Sequence, residues 1–129
     1  MAHEAIPRTM RAMVLTGHGG IERLEYRDDV PTPLPGPGEV LVRVSATAKN
    51  NTDRKAREGL YPVGDRDEVT SFRMGGKATL TFPRIQGADV VGQVAAVGEC
   101  INPARIGERG LLDFNLYPDQ RRDINLVPD

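Results

Sequence analysis

The stretch QGADVVGQVAAVGE, from Gln86 to Glu99, carries the strongest structural pattern in the sequence. Its centre is a nearly continuous apolar run rich in β-branched residues, made of Val90, Val91, Val94, Ala95, Ala96 and Val97. Such a run is typical of a strand that is buried in a core. Gly92 and Gly98 interrupt it and predict bends or bulges of a curved sheet. We therefore expect a buried strand around which a small β domain is built.

The segment RIGERGLL, residues 105–112, predicts the partner of this strand. Its centre combines glycines with charged residues, as in turns that redirect a strand, and the apolar Ile106 and Leu111 flank that turn. A chain of 129 residues is large enough for a real core but too short for two ordinary domains. We expect residues 1–129 to form one domain with these two segments as its spine.

Three further segments have strand patterns, at residues 10–16, 22–27 and 39–46. The third alternates regularly, and its half-buried face is expected to carry Val40, Val42, Val44 and Ala46. Between the second and the third, prolines at positions 31, 33, 35 and 37 remove backbone donors. Residues 30–38 are therefore predicted to form a stiff extended connector.

The tetrapeptide NNTD, residues 50–53, ends the third strand because its side chains prefer to hydrogen-bond nearby backbone and to cap helices. A short helix over residues 52–58, with Gly59 as its stop, is the prediction. Residues 61–81 show no sustained period and predict a long mobile loop, for which a lid over a substrate cleft is one hypothesis. We expect a loose tail or an added edge strand at residues 1–9. We expect weak structure at residues 113–129, with strand character only at residues 124–127.

The composition argues against several classes of partner. The 17 basic residues are scattered among 18 acidic ones, which gives a net charge of −1 and no basic patch for nucleic acid or an anionic membrane. No apolar run approaches the length of a membrane span. The single cysteine, Cys100, permits no disulfide within the chain, as suits a reducing cytoplasm. The sequence predicts a cytoplasmic protein.

Two segments resemble the catalytic domain of the medium-chain dehydrogenase/reductase superfamily. The first has glycines and an aspartate in the spacing G-x-D-x-x-G-x-x-x-x-x-G, at Gly87, Asp89, Gly92 and Gly98, followed by GERGLL. The second, residues 33–53, resembles the proline-rich turn, strand and active-site loop of that superfamily. The matches together cover most of residues 10–112. The resemblance implies a mainly β fold, the GroES-like partly open β-barrel with one or two short helices.

The resemblance also implies a branch without zinc. Zinc alcohol dehydrogenases have Gly-His-Glu where this chain has Gly87, Ala88 and Asp89, so the match is to the quinone-oxidoreductase-like branch. At the positions of the family's catalytic zinc ligands the chain offers Asn50, Ala88 and Asp89, and one carboxylate alone does not hold the ion. The cysteine-rich structural-zinc lobe is missing, and the two histidines, His3 and His18, lie far from the motif in sequence. We expect no metal site.

Asn50 and Thr52 are the first candidates for a functional site. An asparagine commonly lines the cleft beside the nicotinamide in quinone-oxidoreductase-like members, and Thr52 stands where the zinc enzymes have a hydroxyl that relays a proton. The functional hypothesis is that both residues orient a carbonyl or a cofactor amide by hydrogen bonds. The alternative is a plain helix cap, and both remain open at this point. Asp53 is interpreted as mainly structural, because the helix dipole favours an aspartate in the first turn.

Tyr61, in the sequence GLYP, resembles a tyrosine that some zinc-free members carry at the mouth of the cleft. A phenol there can donate a hydrogen bond or a proton to the substrate oxygen. Alternatively, its ring packs against the barrel. Cys100 is interpreted as a core or loop residue rather than as a nucleophile.

The function implied by the resemblance is reduction of a quinone, enone or carbonyl by NADPH. The chain has no G-x-G-x-x-G turn between a strand and a helix, so we expect the Rossmann cofactor domain to be absent and the chain alone to be incomplete for catalysis. The chain would then be the N-terminal, substrate-side part of a longer enzyme, for which a homodimer is expected, or a truncated product. The alternative is a non-enzymatic GroES-like barrel that acts as a binding or assembly module.

Overall fold

The computed structural model describes residues 5–61, 73–74, 77–78, 80–112 and 125–126. Within these residues the chain is mainly β, as predicted, with one α-helix and two 3-10 helices, at Ile21–Arg23 and Pro103–Arg105. The elements are β1 (Thr9–Leu15), β2 (Leu24–Pro31), β3 (Val40–Thr47), α1 (Asn51–Arg57), β4 (Arg73–Met74), β5 (Lys77–Ala78), β6 (Arg84–Ile85), β7 (Val90–Val97), β8 (Arg109–Leu111) and β9 (Asn125–Leu126).

The chain divides into two compact units, and strands of the described residues form a separate sheet in each. The first unit comprises Met1–Met10, Pro31–Lys49 and Gly87–Asp129, and its sheet has the order β3-β7-β8-β9. The second comprises Arg11–Val30 and Asn50–Gln86, and the sheet that β1 forms there has the order β2-β1-β6. A short antiparallel ladder of β4 and β5 completes the strand pairing. The described strands form no closed barrel, which agrees with the partly open GroES-like fold expected from the sequence.

Strand β7 is the centre of the first unit, as the sequence predicts, because it pairs with β3 on one side and with β8 on the other. Val94, in the middle of β7, is almost fully buried. The register of β3 and β7 contains two irregularities, one that leaves Ala95 without a partner in β3 and one that leaves Ser45 without a partner in β7. The predicted bulges therefore lie at Ala95 and Ser45 instead of at the two glycines.

Gly92 and Gly98 instead allow neighbouring backbone to approach β7 and its C-terminal end closely. A Cβ atom on Gly92 would lie 2.3 Å from the Arg43 carbonyl oxygen, and one on Gly98 would lie 1.8 Å from the Gly36 carbonyl oxygen. At the Gly98 end, two backbone hydrogen bonds of 2.8 Å join the proline-rich turn to the chain after β7, from Gly98 N to Glu39 O and from Gly38 N to Glu99 O. Any side chain at Gly98 would prevent this contact.

Strand β3 differs from the expected half-buried strand. Only Val40 to Val42 are half-buried, whereas the strand is exposed from Arg43 onward, and Val44 is 56% exposed. Two features explain the difference. The partner of Val44 is Gly92, which has no side chain to cover it, and β3 lies at the edge of its sheet. Strand β2 also runs further than predicted, to Pro31, so the connector before β3 begins two residues later, at Thr32.

In the second unit, the fully buried side chains come from three separate segments, namely Leu15 of β1, Ala56 of α1 and Leu80. Helix α1 has the predicted position to within one residue. Gly59 stops it as predicted, with φ +83°, and the N–H groups of Leu60 and Gly59 donate to the carbonyls of Lys55 and Ala56. This is the Schellman arrangement, in which a left-handed glycine lets the last carbonyls find donors.

The turn after β1 is bonded to the end of α1. Gly19 N donates to the Arg57 carbonyl at 2.8 Å, and Arg57 Nη1 donates to the Gly19 carbonyl at 2.8 Å. These two bonds fix the C-terminal end of the helix within the second unit.

Several expectations fall wholly or largely outside the described residues. They include most of the loop predicted for residues 61–81, in which only the ladder of β4 and β5 is described beyond Tyr61, Leu80 and Thr81. Of the tail at residues 113–129, only β9 is described, and it lies inside the segment for which strand character was predicted. None of the helices in the described part of the chain has the length and apolar character needed to cross a bilayer.

We predict that Gly98→Ala strongly destabilises the protein. The new methyl group would meet the Gly36 carbonyl oxygen, which belongs to the backbone and has little room to move. We expect a loss of about 2–4 kcal/mol in the free energy of unfolding, measured by urea denaturation. The control is Gly17→Ala, because a Cβ atom there meets nothing within 4 Å. Equal stability of the two variants would contradict the close approach at Gly98.

A second prediction concerns Glu22, whose carboxylate accepts a hydrogen bond from Gly20 N at 2.8 Å. Backbone N–H groups of Glu22 itself and of Gly20 hold the pKa of this carboxyl below its ordinary value, with smaller help from Arg23 and Arg57. A lowered pKa in the folded state means that the ionised form favours folding, a contribution that is present above the pKa of the unfolded chain. It is lost as the pH falls through the folded pKa.

The measurement is an NMR titration of the Glu22 carboxyl carbon. We expect a midpoint below that of a glutamate in an unstructured peptide, and we expect the Gly20 amide resonance to shift with the same midpoint. In Glu22→Gln the acid-dependent shift of Gly20 should disappear. A midpoint at or above the peptide value would contradict the hydrogen bond.

Candidate functional site

Asn50 and Asp53 form a reciprocal cap at the start of α1. Asn50 Oδ1 accepts a hydrogen bond from Thr52 N at 3.0 Å, and Asp53 Oδ2 accepts one from Asn50 N at 3.0 Å. Asn50 itself has the extended backbone that a capping residue requires, with φ −117° and ψ 149°. The interpretation of Asp53 as a structural residue is correct, and Asn50 does cap the helix. A capping role and a ligand-binding role use different atoms of the Asn50 side chain.

The cap determines which atoms of the Asn50 amide are available to a ligand. Because Oδ1 is bonded to Thr52 N, the Nδ2 group is held on the other side of the amide as a pair of N–H donors. The Asn50 side chain is exposed and that of Thr52 is half-buried. Within the described part of the chain, neither Asn50 Nδ2 nor Thr52 Oγ1 makes a hydrogen bond. The start of α1 thus presents an oriented donor and a hydroxyl.

Gln86 is a residue of this region that sequence reasoning missed. Its Nε2 donates to the carbonyl oxygen of Asp53 at 3.2 Å in a partly buried contact. Gln86 lies 33 positions from Asp53 in the sequence, and both belong to the second unit. No local pattern indicates such a bond, because it depends on where the chain brings the residue after β6.

Tyr61 follows the end of α1 by four residues, beyond the left-handed Gly59. Its side chain is half-buried and takes part in an interaction within the structure. The hydrogen-bonding role suggested for its phenol stays a prediction.

His18 lies in the turn after β1 and packs against apolar neighbours. Its ring meets the Phe82 ring edge to face, with centroids 5.0 Å apart, and its Nδ1 would lie 3.4 Å from a Cβ atom on Gly59. Its Nε2 is buried and has no hydrogen-bond partner in the described residues. This packing role was not foreseen from the sequence. His3, the other histidine considered as a metal ligand, lies outside the described residues.

Cys100 is exposed, in the turn that follows β7, with φ +68°. It forms no disulfide and is not the core residue that one interpretation suggested, so the loop alternative is the correct one. In the described ranges, no three side chains of histidine, cysteine, aspartate or glutamate converge on a common point suitable for a metal ion.

Comparison with known proteins places this geometry in a family. Residues 36–117 match the family model of the alcohol dehydrogenase GroES-like domain. Among solved structures, a putative alcohol dehydrogenase from Sinorhizobium meliloti 1021 is 48% identical with a TM-score of 0.73, and the match covers 95% of this chain and 35% of that one.

Two curated relatives match over 102 residues each. The synaptic vesicle membrane protein VAT-1 homolog of Rattus norvegicus is 38% identical, over 78% of this chain and 21% of its own length. A quinone oxidoreductase of Lama guanicoe is 32% identical, over 79% of this chain and 26% of its own length. The chain therefore spans only about a fifth to a quarter of these relatives.

The family model covers well over half of the chain, including β3, α1 and the whole of β7, which are the elements whose motifs suggested the resemblance. The chain belongs to the alcohol dehydrogenase GroES-like domain family, the N-terminal domain of the medium-chain dehydrogenase/reductase superfamily.

Proposed function

We propose that this chain is the substrate-side domain of an NADPH-dependent oxidoreductase that reduces a quinone, an enone or a carbonyl compound without a catalytic zinc. Its membership of the family supports the general activity, and its 32% identity to a quinone oxidoreductase supports the class of substrate. The proposal assigns residues 1–129 to the substrate side. The cofactor would be held mainly by a Rossmann domain outside these residues, in an enzyme that is a homodimer.

The observation that carries the proposal is the hydrogen-bonded amide of Asn50 at the position of a zinc ligand. Zinc enzymes of the superfamily have a cysteine at this position, and a thiolate is a strong zinc ligand. Here the position carries a neutral amide, whose oxygen accepts a hydrogen bond from Thr52 N and whose Nδ2 group has no lone pair to give to a metal. Ala88, at the position of the family's histidine ligand, has only a methyl group. Neither an amide nor a methyl group is among the usual zinc ligands, which supports chemistry without the metal.

The same amide fits an oxygen acceptor. A carbonyl oxygen of a quinone or enone accepts hydrogen bonds, and it gains negative charge as a hydride arrives at the conjugated carbon. A donor whose orientation is fixed before the reaction stabilises that charge without reorganisation. Asn50 Nδ2 is such a donor, because the cap holds its amide plane. The amide of the nicotinamide ring is the other acceptor that the same group would fit.

Bound NADPH would supply the hydride, leaving NADP⁺. The reduced substrate also needs one proton on its oxygen for each hydride it receives. We propose that this proton comes from solvent by way of the Thr52 hydroxyl or the Tyr61 phenol, since both side chains are partly accessible and either group can donate. Both roles belong to the proposal.

The first test measures quinone-dependent NADPH oxidation by this chain alone and by the chain joined to the coding sequence that continues its reading frame. We expect turnover and NADPH binding by calorimetry only in the longer protein. We also expect the rate to be unchanged after treatment with a zinc chelator. Loss of activity on chelation would contradict the zinc-free mechanism, and a longer protein that binds no NADPH would contradict the proposed function altogether.

The second test separates the two roles of Asn50 by substitution. Asn50→Asp keeps an oxygen that caps the helix but removes both N–H donors, so we expect stability within about 0.5 kcal/mol of wild type. Its kcat/KM for the quinone should fall about tenfold or more, the loss expected when a donor to the developing charge is removed. Asn50→Ala should lose both activity and about 1 kcal/mol of stability.

Asn51→Asp is the matched control for the added charge. Asn51 is the neighbouring exposed residue, and its Oδ1 accepts a hydrogen bond from Arg54, which an aspartate preserves. We expect this variant to retain wild-type kcat/KM. If Asn50→Asp is as active as Asn51→Asp, Asn50 has only the capping role.

A further inference from the structure

We infer that Gln86 is a positioning residue for the Asn50 and Thr52 side chains, acting through the first turn of α1. The inference rests on the proposed function in one respect, which is the identity of the ligand that these side chains would contact. The positioning itself depends only on hydrogen bonds in the second unit.

Gln86 stands at a junction of the chain. It directly follows β6, which is paired with β1, and it precedes Gly87, where the chain enters the first unit. Its side chain is half-buried, and its amide nitrogen lies 3.2 Å from the Asp53 carbonyl oxygen. The segment that leaves the sheet of β1 and β6 is thus hydrogen-bonded to the first turn of α1 through the Gln86 side chain.

From Asp53 the connection continues to the candidate site. The Asp53 carboxylate accepts from Asn50 N at 3.0 Å, and Asp53 N donates to the Asn50 carbonyl at 3.1 Å. Asn50 Oδ1 in turn accepts from Thr52 N. Gln86 therefore holds Asp53, and Asp53 fixes the backbone of Asn50 through its side chain and its N–H group. The position of that backbone helps to determine where the Asn50 Nδ2 donor points.

Different hydrogen bonds hold the two ends of α1, so the effect of Gln86 is confined to the first turn. At the C-terminal end, Arg57 and Gly19 exchange two hydrogen bonds of 2.8 Å, and the Schellman bonds close the helix. At the first turn, among the described residues, Gln86 provides the one hydrogen bond that comes from outside the helix and its cap. Removal of that bond should loosen the start of α1 and leave its end in place.

The direct test is amide hydrogen exchange by NMR on this chain, comparing wild type with Gln86→Leu. We expect the amides of Asn50, Thr52 and Asp53 to exchange about three- to tenfold faster, as follows from losing one hydrogen bond to a local opening reaction. The Leu60 amide, which donates to Lys55 at the other end of the helix, should be unchanged. Equal acceleration at Leu60 would show a general loss of helix stability and overturn the inference, and so would no change at Thr52.

The matched control is Gln93→Leu. Gln93 also donates from Nε2 to a backbone carbonyl, that of Gly107 at 2.8 Å, but it lies in the first unit. This variant should leave the exchange of Asn50, Thr52 and Asp53 unaltered. If Gln86→Leu fails to fold, Gln86→Glu replaces it, because a carboxylate of the same length keeps a polar group there and lacks the donor.

The functional arm uses the longer protein in the NADPH oxidation assay. We expect Gln86→Leu to lower kcat three- to tenfold while the KM for NADPH stays within twofold of wild type, because the substitution displaces a donor on the substrate side. An unchanged kcat in an otherwise active enzyme would overturn the positioning role. If the wild-type protein has no turnover, the proposed function fails, and the exchange experiment still decides whether Gln86 positions Asn50.

Discussion

The contact between Gly98 and the Gly36 carbonyl is the constraint on which the first unit depends. Strand β7 is held along its length by hydrogen bonds to β3 and β8. The residues just after β7 are also bonded to the turn that leads into β3. Here that junction is made by backbone alone, through the paired bonds of Gly98 with Glu39 and of Gly38 with Glu99. Since a Cβ atom would occupy the space of the carbonyl, the junction exists only because position 98 has no side chain. Gly92 has the same relation to Arg43 in the middle of the strand.

The close approach at Gly92 also explains why part of β3 is exposed. Because β3 approaches β7 closely at Gly92, no side chain projects from β7 to cover Val44, which is left largely exposed. Apolar burial in the described part of the first unit is consequently concentrated at Val94. Backbone pairing therefore contributes much of the order of this unit, whereas the second unit relies on Leu15, Ala56 and Leu80, which come from three separate segments. The two units thus differ in how they are stabilised, although one chain passes repeatedly between them.

The sequence predicted what depends on local preference and missed what depends on long-range pairing. The apolar run of β7, the NNTD cap and the stop at Gly59 are each encoded within a few residues, and each was found where it was expected. The bulges at Ala95 and Ser45 were placed wrongly, because they depend on the register between strands some fifty residues apart. Gln86 was overlooked for the same reason, since a glutamine before a glycine has no intrinsic preference for the carbonyl of Asp53. The packing of His18 against Phe82 likewise arises only once the turn after β1 meets the segment before β6.

The capping of α1 limits how the Asn50 side chain can meet a ligand. A free asparagine can rotate its amide by half a turn and offer either an acceptor or a donor. When Thr52 N–H occupies the oxygen, such a rotation would place N–H against N–H, and the cost of that arrangement fixes the orientation. The Nδ2 group is then held as a donor of fixed orientation, which is the polarity that an oxygen gaining negative charge requires. In the proposed reductase, the hydrogen bonds that begin the helix would therefore also select the atom that the substrate presents. This makes the helix-cap and the ligand-binding interpretations of Asn50 compatible, because the first provides the orientation that the second needs.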